Sequence, residues 1–412
     1  MRVRKATTVA AGLAAIGVIA GCSGGPAGTG EPAAQDLTLW LYPVIADEAA
    51  HKAYWDSAIA DFEAENDDIT VSYEIFPWAN RDEALQTAIA ANKGPDLVYL
   101  VPDQLAAYEE SLEPLDEYLS GDRVASMLPN VRESVTLDAG IMGAPVLTSA
   151  MALICNAATF EAAGVDEFPA TWDDVRDMAP AFVEAGMHAI SYPASAENSL
   201  NLTFYPLLWQ AGGDVYSDEG EVGFNSAAGL EALQFLTDLA EMGALEPSVL
   251  TAQVPLEQTP LAQGKVGCTW TDNVVDLSPF WGDDVTVLPP LENEESVAYG
   301  TVGSLSILKG SAHKEAAARF AEFATSIEAL EPYLLEAGFF PALETEEQLH
   351  ATDTLLGQVE QYVPRTTVGE LATSSRALMG VLSPEIQAAL IGQKSAQEAL
   401  DAAEAAAAPL LG

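Results

Sequence analysis

Between Leu37 and Leu100 the chain alternates between two hydrophobic periodicities, and this alternation limits the kind of sheet it can build. Leu37-Thr38-Leu39-Trp40-Leu41 alternates like a strand. A helical pattern follows with Tyr54, Trp55, Ile59 and Phe62 on one face, closed by Asn66 to Asp68. Ile69 to Tyr73 resumes as a strand, Glu83 to Ala91 as a helix, and Asp96 to Leu100 as a buried strand. Lys93-Gly94-Pro95 ends the second helix, with Gly94 expected to take a positive φ and Pro95 blocking continuation. Such a βαβαβ opening predicts a mostly parallel sheet covered by helices on both faces.

The same grammar recurs further on. Thr171 and Asp174 stand at capping-box spacing ahead of a helix that Gly186 stops. Phe204 to Gln210 reads as helix, and Val215-Tyr216 and Val222 to Phe224 flank the turn Asp218-Glu219-Gly220. Ser226 to Met242 is amphipathic, Val266 to Trp270, Val285 to Pro289 and Leu305 to Leu308 are strands, and His313 to Thr325 and Glu398 to Ala408 are helices. There is no internal sequence repeat.

Ahead of the first strand stand Arg2, Arg4 and Lys5, an apolar run from Val9 to Ala20, and Ile19-Ala20-Gly21-Cys22. A basic start, a short hydrophobic run and small residues before a cut form a secretory signal. The cysteine directly after Ala-Gly resembles a bacterial lipobox, which implies cleavage before Cys22 and a lipid on its sulfur. Residues 22–36, rich in Gly, Pro and Ser, read as a flexible tether.

Charge removes further classes. The chain has 16 Lys+Arg against 62 Asp+Glu; without Arg2, Arg4 and Lys5 it has 13 against 62, a net charge of −49. A chain this acidic repels phosphate backbones, so nucleic acid is not a partner. Anionic headgroups are repelled too, so the lipid must supply the membrane attachment. Hydrophobic content of 49%, with 13 Phe, 12 Tyr and 7 Trp, is ample for packed cores and rules out global disorder. His51, His188, His313 and His350 stand at no metal-ligand spacing, and no cofactor motif is present. Besides Cys22 there are only Cys155 and Cys268, each in a β-type apolar run. An exported location permits a bridge, but two cysteines set no framework, and they read as small buried hydrophobes.

Six segments then carry a family resemblance: Gly94-Pro95-Asp96-Leu97-Val98; Ala144-Pro145 with Leu153-Ile154-Cys155-Asn156; Pro169 to Asp174; Gly264-Lys265-Val266-Gly267; Gly310 to Lys314; and Gly338-Phe339-Phe340-Pro341. In this order and spacing the chain resembles the extracellular solute-binding proteins of carbohydrate-type ABC importers, the maltose-binding-like group. The resemblance implies an α/β fold of two lobes, each a mostly parallel sheet flanked by helices, joined by crossing strands around a central cleft. It places lobe 1 at residues 37–147 plus 303–350 and lobe 2 at 148–302 plus 351–412. The implied function is a monomeric, non-enzymatic receptor. It captures a sugar by hinge closure and hands it to membrane permease subunits, without a cofactor or metal.

Sugar recognition calls for aromatic faces beneath the ring's C–H side and for carboxylates or amides at its hydroxyls. Trp40 and Tyr42, at the end of the first strand, are the expected stacking pair, with Trp78 on a rim loop beside Arg81. Asp103 and Gln104 follow the third strand at the spacing where the resemblance implies polar ligand contacts. In the second lobe the candidates are Ser149 beside Thr148, Asn201 with Asn198, Asp272 and Asn273 after a strand, and Tyr299 before a crossing. Gly300 and Gly303 are expected to let a ligand approach backbone, and Trp281 to sit on a mobile loop. Trp55, Trp172 and Trp270 are assigned to packing, and Arg365 to local carboxylates. A polyamine would exploit the negative charge, whereas a glycerol phosphate would need Arg81 or Arg365 in the cleft. An exported glycan-acting enzyme is the remaining alternative, although no His-Glu-x-x-His helix, P-loop or dinucleotide fingerprint is present.

Overall fold

Leu37, Leu39 and Leu41 point to one side of strand β1 (Gln35–Leu41) and are buried, as their period of two requires. The computed structural model describes residues 34–78, 81–196, 198–217 and 219–411. The leader, Cys22 and most of the tether therefore lie outside the described residues, as do Asn80 and the turn residue Asp218.

β1 pairs in parallel with β2 (Ile69–Ile75) on one side and β3 (Leu97–Leu100) on the other. Helices α1 (Glu48–Glu65) and α2 (Arg81–Ala90) form the crossovers. The Asp47 side chain caps α1 by accepting from the Ala50 N–H at 2.7 Å, and Trp55, Ile59 and Phe62 face inward. Past α2 it is Asn92, not Gly94, that takes a positive φ, of 51°. Gly94 serves packing instead: a Cβ there would stand 2.4 Å from Leu308 Cδ1. α3 (Pro102–Tyr108), β4 (Leu112–Glu113), α4 (Gly121–Ala125), α5 (Pro129–Val135) and the hairpin of β5 (Thr136–Leu137) and β6 (Gly140–Ile141) lead to β7 (Ala144–Thr148).

The chain then builds a second sheet. β8 (Leu153–Asn156), α6 (Ala157–Ala163), α7 (Trp172–Glu184), β9 (His188–Ile190), α8 (Tyr205–Gln210) and α9 (Ala227–Glu241) are followed by β10 (Val266–Thr269), α10 (Val274–Trp281), β11 (Val285–Leu288) and β12 (Ala298–Tyr299). The strand order is β11-β8-β10-β9. β13 (Val302–Leu308) returns to the first sheet and runs antiparallel to β3, β4 and β7. α11 (Lys314–Ala324) and α12 (Ile327–Ala337) pack there, and α13 (Thr354–Glu360), β14 (Thr366–Thr367), α14 (Ser375–Leu390) and α15 (Ala396–Ala407) complete the chain. Both sheets are mixed. The opening strands are parallel as their sequence requires, but β13 arrives from the other lobe and lies antiparallel to the strands it joins.

Each sheet has its own core. Leu37, Trp55, Phe62, Leu305 and Phe320 belong to the first, and Trp172, Phe182, Phe235, Leu378 and Leu400 to the second. Trp172 stacks on Phe235 at 4.6 Å, and Thr171 and Asp174 form the expected capping box. Between the sheets the chain crosses on paired backbone. Thr148 N–H donates to Phe340 O at 2.9 Å, and Ser149 N–H and Met151 N–H donate to Thr301 O and Tyr299 O at 3.0 Å.

The reading of Cys155 and Cys268 as free thiols is corrected. They are directly opposed on antiparallel β8 and β10, with Cα atoms 4.0 Å apart, and form a disulfide. Trp281 is likewise not on a mobile loop: it ends α10 buried, its Nε1 donating to Leu261 O at 2.8 Å. Among the described residues no helix is long and apolar enough to cross a membrane.

Candidate ligand-binding cleft

The parallel strands β1, β2 and β3 end side by side, so the residues just past them share the carboxyl edge of the sheet. Tyr42 follows β1 and Trp78 follows β2, and their rings stack with centroids 5.0 Å apart and planes inclined by 27°. Trp78 Nε1 donates to Pro43 O at 2.7 Å, fixing the indole. The Arg81 guanidinium sits 4.6 Å from the Trp78 ring centroid and 6.0 Å from that of Tyr42. Both distances lie within cation–π range.

Trp40 does not join this stack, which corrects the expected Trp40–Tyr42 pair. Its half-buried ring lies against Phe76 at 4.4 Å, so it packs within the first lobe.

Beside the aromatic shelf is a charged cluster built from three helix starts. Asp82 stands in the first turn of α2, Asp103 in that of α3 and Arg376 in that of α14. Arg376 Nε donates to Asp103 Oδ2 at 2.6 Å, and its Nη1 donates to Asp82 Oδ2 at 2.5 Å. Leu378, Leu382 and Ile386 anchor α14 in the second core, whereas α2 and α3 belong with the first. The guanidinium therefore spans both lobes. Burial pulls the Arg376 pKa down, but the Asp103 and Asp82 charges outweigh burial and leave it above the usual value. For Arg81 the balance is reversed: burial and the neighbouring Arg376 charge lower its pKa, against Asp103 and Asp82.

Gln104 is not a direct ligand contact. It is fully buried, and its Nε2 donates to Asp82 Oδ1 at 2.7 Å. Tyr108 donates to the same oxygen at 3.3 Å, so both residues orient the carboxylate that Arg376 grips.

From the second lobe, Tyr299 faces this cluster. Burial pushes its phenol up to about 12 and the Asp103 charge adds to this, while the Thr301 and Asn201 side chains and the Arg81 charge draw it down. Trp78 and Asp103 thus stand beside Arg81 and Arg376, with Tyr299 within reach of their charges; Tyr42, expected to stack on a ligand, is buried in the first core beneath Trp78, and Asn201 lies beside Tyr299. A separate groove of about 710 Å³ has none of these residues in its lining; Ala106 of α3, Asn130 of α5 and Thr367 line it together with the acids Glu109, Glu133, Asp138, Asp214 and Glu370. Binding sites for small molecules typically span about 300–1,000 Å³.

Three candidates turn out to serve the fold. The Ser149 hydroxyl accepts from the Thr301 N–H at 3.0 Å and pins two crossing segments together. Asn273 is the N-cap of α10, accepting from the Asp276 N–H at 2.9 Å and donating to the Asp276 carboxylate at 2.6 Å. Asp272 is held by the Thr269 and Thr271 hydroxyls at 2.9 and 3.3 Å. Burial is the first cause of its raised pKa, and Asp276 adds to it. The space beside Gly300 and Gly303 is filled by protein rather than open to a ligand. A Cβ at Gly300 would stand 2.4 Å from Ser149 O, and one at Gly303 would stand 1.7 Å from the Tyr99 hydroxyl.

Arg376 is the functional candidate that sequence reasoning missed. The available signal was electrostatic: a cation in the first turn of a helix opposes the macrodipole, which disfavours it by about 0.3–1 kcal/mol. Arg81, the first residue of α2, violates the same rule.

The model of the bacterial extracellular solute-binding protein family matches residues 46–331. The chain belongs to that family. A maltotriose-binding protein of Pyrococcus abyssi is 25% identical over 293 residues, covering 67% of this chain and 60% of that protein. A binding protein of Brucella abortus is 25% identical over 304 residues, covering 72% of this chain and 74% of that protein. Among solved structures, the cyclic α-maltosyl-1,6-maltose binding protein of Arthrobacter globiformis aligns with a TM-score of 0.78 at 20% identity, over 91% of this chain and 98% of that one. A sugar-binding protein of Xanthomonas citri aligns with a TM-score of 0.78 at 20% identity, over 91% and 97%. These likenesses show the two-lobed α/β fold.

Proposed function

We propose that the protein captures a neutral sugar or oligosaccharide in the interlobe cleft and delivers it to the permease of an ABC importer. The observation that carries this reading is the half-buried Trp78 ring, backed by buried Tyr42, beside Asp82, Asp103 and Arg376. An aromatic face receives the C–H side of a pyranose, while the guanidinium offers donors and the flanking carboxylates offer acceptors to neighbouring hydroxyls. The sugar names of several relatives and structural neighbours point the same way. A glycerol phosphate would call for uncompensated arginines, whereas here Arg81 and Arg376 face Asp82 and Asp103.

The lobes in this reading are residues 37–147 plus 303–350 and 148–302 plus 351–412, and the ligand is buried by hinge closure about the crossings at Thr148 to Met151 and Tyr299 to Val302. Closure is a population shift, since only the closed form brings Asp103 and Tyr299 onto one ligand. The chain acts as a monomer, catalyses no reaction, and is held on the outer face of the membrane by lipid on Cys22. Metabolic labelling with a radioactive fatty acid tests the anchor; retention of label in Cys22→Ala excludes it. A thermal-shift panel of mono- and oligosaccharides tests the receptor reading, because a ligand at 100 times its Kd stabilises the folded state by about 2.7 kcal/mol. No response to any sugar, with turnover of a glycan instead, would replace it with the enzyme alternative.

A further inference from the structure

On the lobe boundaries proposed above, lobe 1 carries 8 Lys+Arg against 29 Asp+Glu, and lobe 2 carries 5 against 31. Net charges of −21 and −26 make the lobes repel one another as they approach. The repulsion is also local. The groove of about 710 Å³ has Glu109, Glu133 and Asp138 on its lobe 1 side and Asp214 and Glu370 on its lobe 2 side, and no Lys, Arg or His among the described residues lines it. Some attraction between the lobes must therefore offset this field when the hinge closes. Among the described residues, Lys52, Arg176, Lys314, Arg319 and Lys394 pair with carboxylates of their own lobe. Only Arg376 forms ion pairs across, from α14 of lobe 2 to Asp82 and Asp103 of lobe 1. Asn130 also bridges, its Nδ2 donating to Val363 O at 2.9 Å and Thr366 Oγ1 at 3.0 Å, but that contact is neutral.

We infer that Arg376 is the electrostatic clasp of hinge closure: its charge holds two mutually repelling lobes together and so sets how much of the population is closed. This rests on the hinge-closure reading of the proposed function, and it goes further in naming the residue that positions the lobes. The fork is suited to the role because Nε and Nη1 grip carboxylates from two different helices, α3 and α2, at 2.6 and 2.5 Å. Gln104 and Tyr108 already orient Asp82, so closure does not have to order that carboxylate. Arg81 lies close enough to act against the clasp, since the Arg376 charge lowers its pKa. Arg376 itself nevertheless stays above its usual value, so its two carboxylates outweigh burial and that repulsion together. The Asp82 and Asp103 side chains keep 27% and 15% of their exposure, and salt reaches such a partly buried pair less easily than charges on an open surface.

Small-angle X-ray scattering without added ligand tests the clasp and needs no knowledge of the physiological sugar. At about 10 mM salt charges act over about 30 Å, and at about 1 M over about 3 Å. At low salt Arg376→Gln should have a larger radius of gyration than wild type, by more than the spread among replicates, and the difference should fall by at least half at high salt. Arg376→Lys keeps the charge and should recover most of the wild-type radius. Arg319→Gln removes the same charge from a pair inside lobe 1, with Asp68, and should match wild type. If Arg376→Gln fails to fold, the double variant Asp82→Asn/Asp103→Asn approaches the contact from the other side. It should expand the protein even though it removes two negative charges from lobe 1. Equal radii for wild type and the folded clasp variants at low salt, or a difference undiminished at high salt, would overturn the inference. Maltotriose, titrated calorimetrically into wild type, reads the receptor function separately. Binding together with equal unliganded radii removes the clasp alone, and failure to bind leaves the salt series to decide it.

Discussion

Asp103 and Arg376 are 273 positions apart in the chain and 2.6 Å apart in space. One belongs to a helix that starts at the edge of the first sheet, the other to a helix packed in the second core. Their contact joins the two lobes, and the same guanidinium grips Asp82, so under the proposed function a loosened Asp82 should weaken ligand binding.

Gln104 is the residue that holds it. Gln104→Leu preserves bulk but removes the donor to Asp82 Oδ1, leaving only Tyr108 on that oxygen. A hydrogen bond to a charged group contributes about 1.5–3 kcal/mol, so ligand Kd should rise at least tenfold. Isothermal titration with the best ligand from the sugar panel checks this, and an unchanged Kd would remove Gln104 from the site.

Trp40 provides the opposite case. Its ring packs on Phe76 and not on Tyr42. Trp40→Ala should lower the unfolding midpoint in urea by the equivalent of about 1–3 kcal/mol while ligand Kd stays within twofold. A tenfold loss of affinity with unchanged stability would return Trp40 to the binding surface.

The Cys155–Cys268 bridge joins positions 113 apart within one sheet. Closing a loop of that size typically stabilises by about 2–4 kcal/mol. Reduction with a thiol reagent, or the double variant Cys155→Ala/Cys268→Ala, should lower the melting temperature of the second lobe. Peptide mapping under non-reducing conditions should recover the two cysteines linked; two free thiols in oxidised protein would contradict the bridge.

His51 should make the first lobe acid-sensitive. It is fully buried near Tyr333, both ring nitrogens lack a hydrogen-bond partner, and burial lowers its pKa below 6.5. Above pH 6.5 neither the folded nor the unfolded state is protonated there, so its effect is absent. As pH falls below 6.5 the unfolded state takes up a proton first, and stability declines until the folded pKa is reached. Glu246, whose pKa is raised chiefly by burial, works in the opposite sense and stabilises the fold as it protonates. Melting temperatures from pH 7.5 to 5.5 should fall more steeply for wild type than for His51→Phe. Parallel curves would show that His51 does not couple to stability.

Much of the fold, and part of the candidate site, is legible in the sequence. Trp78 and Asp103 were accessible because each stands just past a strand in a βαβ series, and chain order alone puts those ends on one edge; Tyr42 shares that edge but is buried beneath Trp78. Arg376 was not, because its partners are in another lobe and no local pattern records a contact so distant in sequence. Ser149 and Asn273 misled for a chemical reason: hydroxyls and amides serve turns and caps as readily as ligands. Asn273 spends its amide on capping α10, three positions before Asp276. The cysteine pair could not be resolved because strand register, which opposes Cys155 to Cys268, is set by tertiary packing.

Sugar capture on the Tyr42–Trp78 shelf is tested most directly by isothermal titration of wild type and Trp78→Ala with the same panel of neutral oligosaccharides. Wild type should bind at least one with a defined stoichiometry of about one per chain. Trp78→Ala should lose at least tenfold in affinity, because the stacking surface and the Arg81 platform go together. Equal affinity in both proteins, with Trp78→Ala still folded, would place the ligand elsewhere and contradict the shelf.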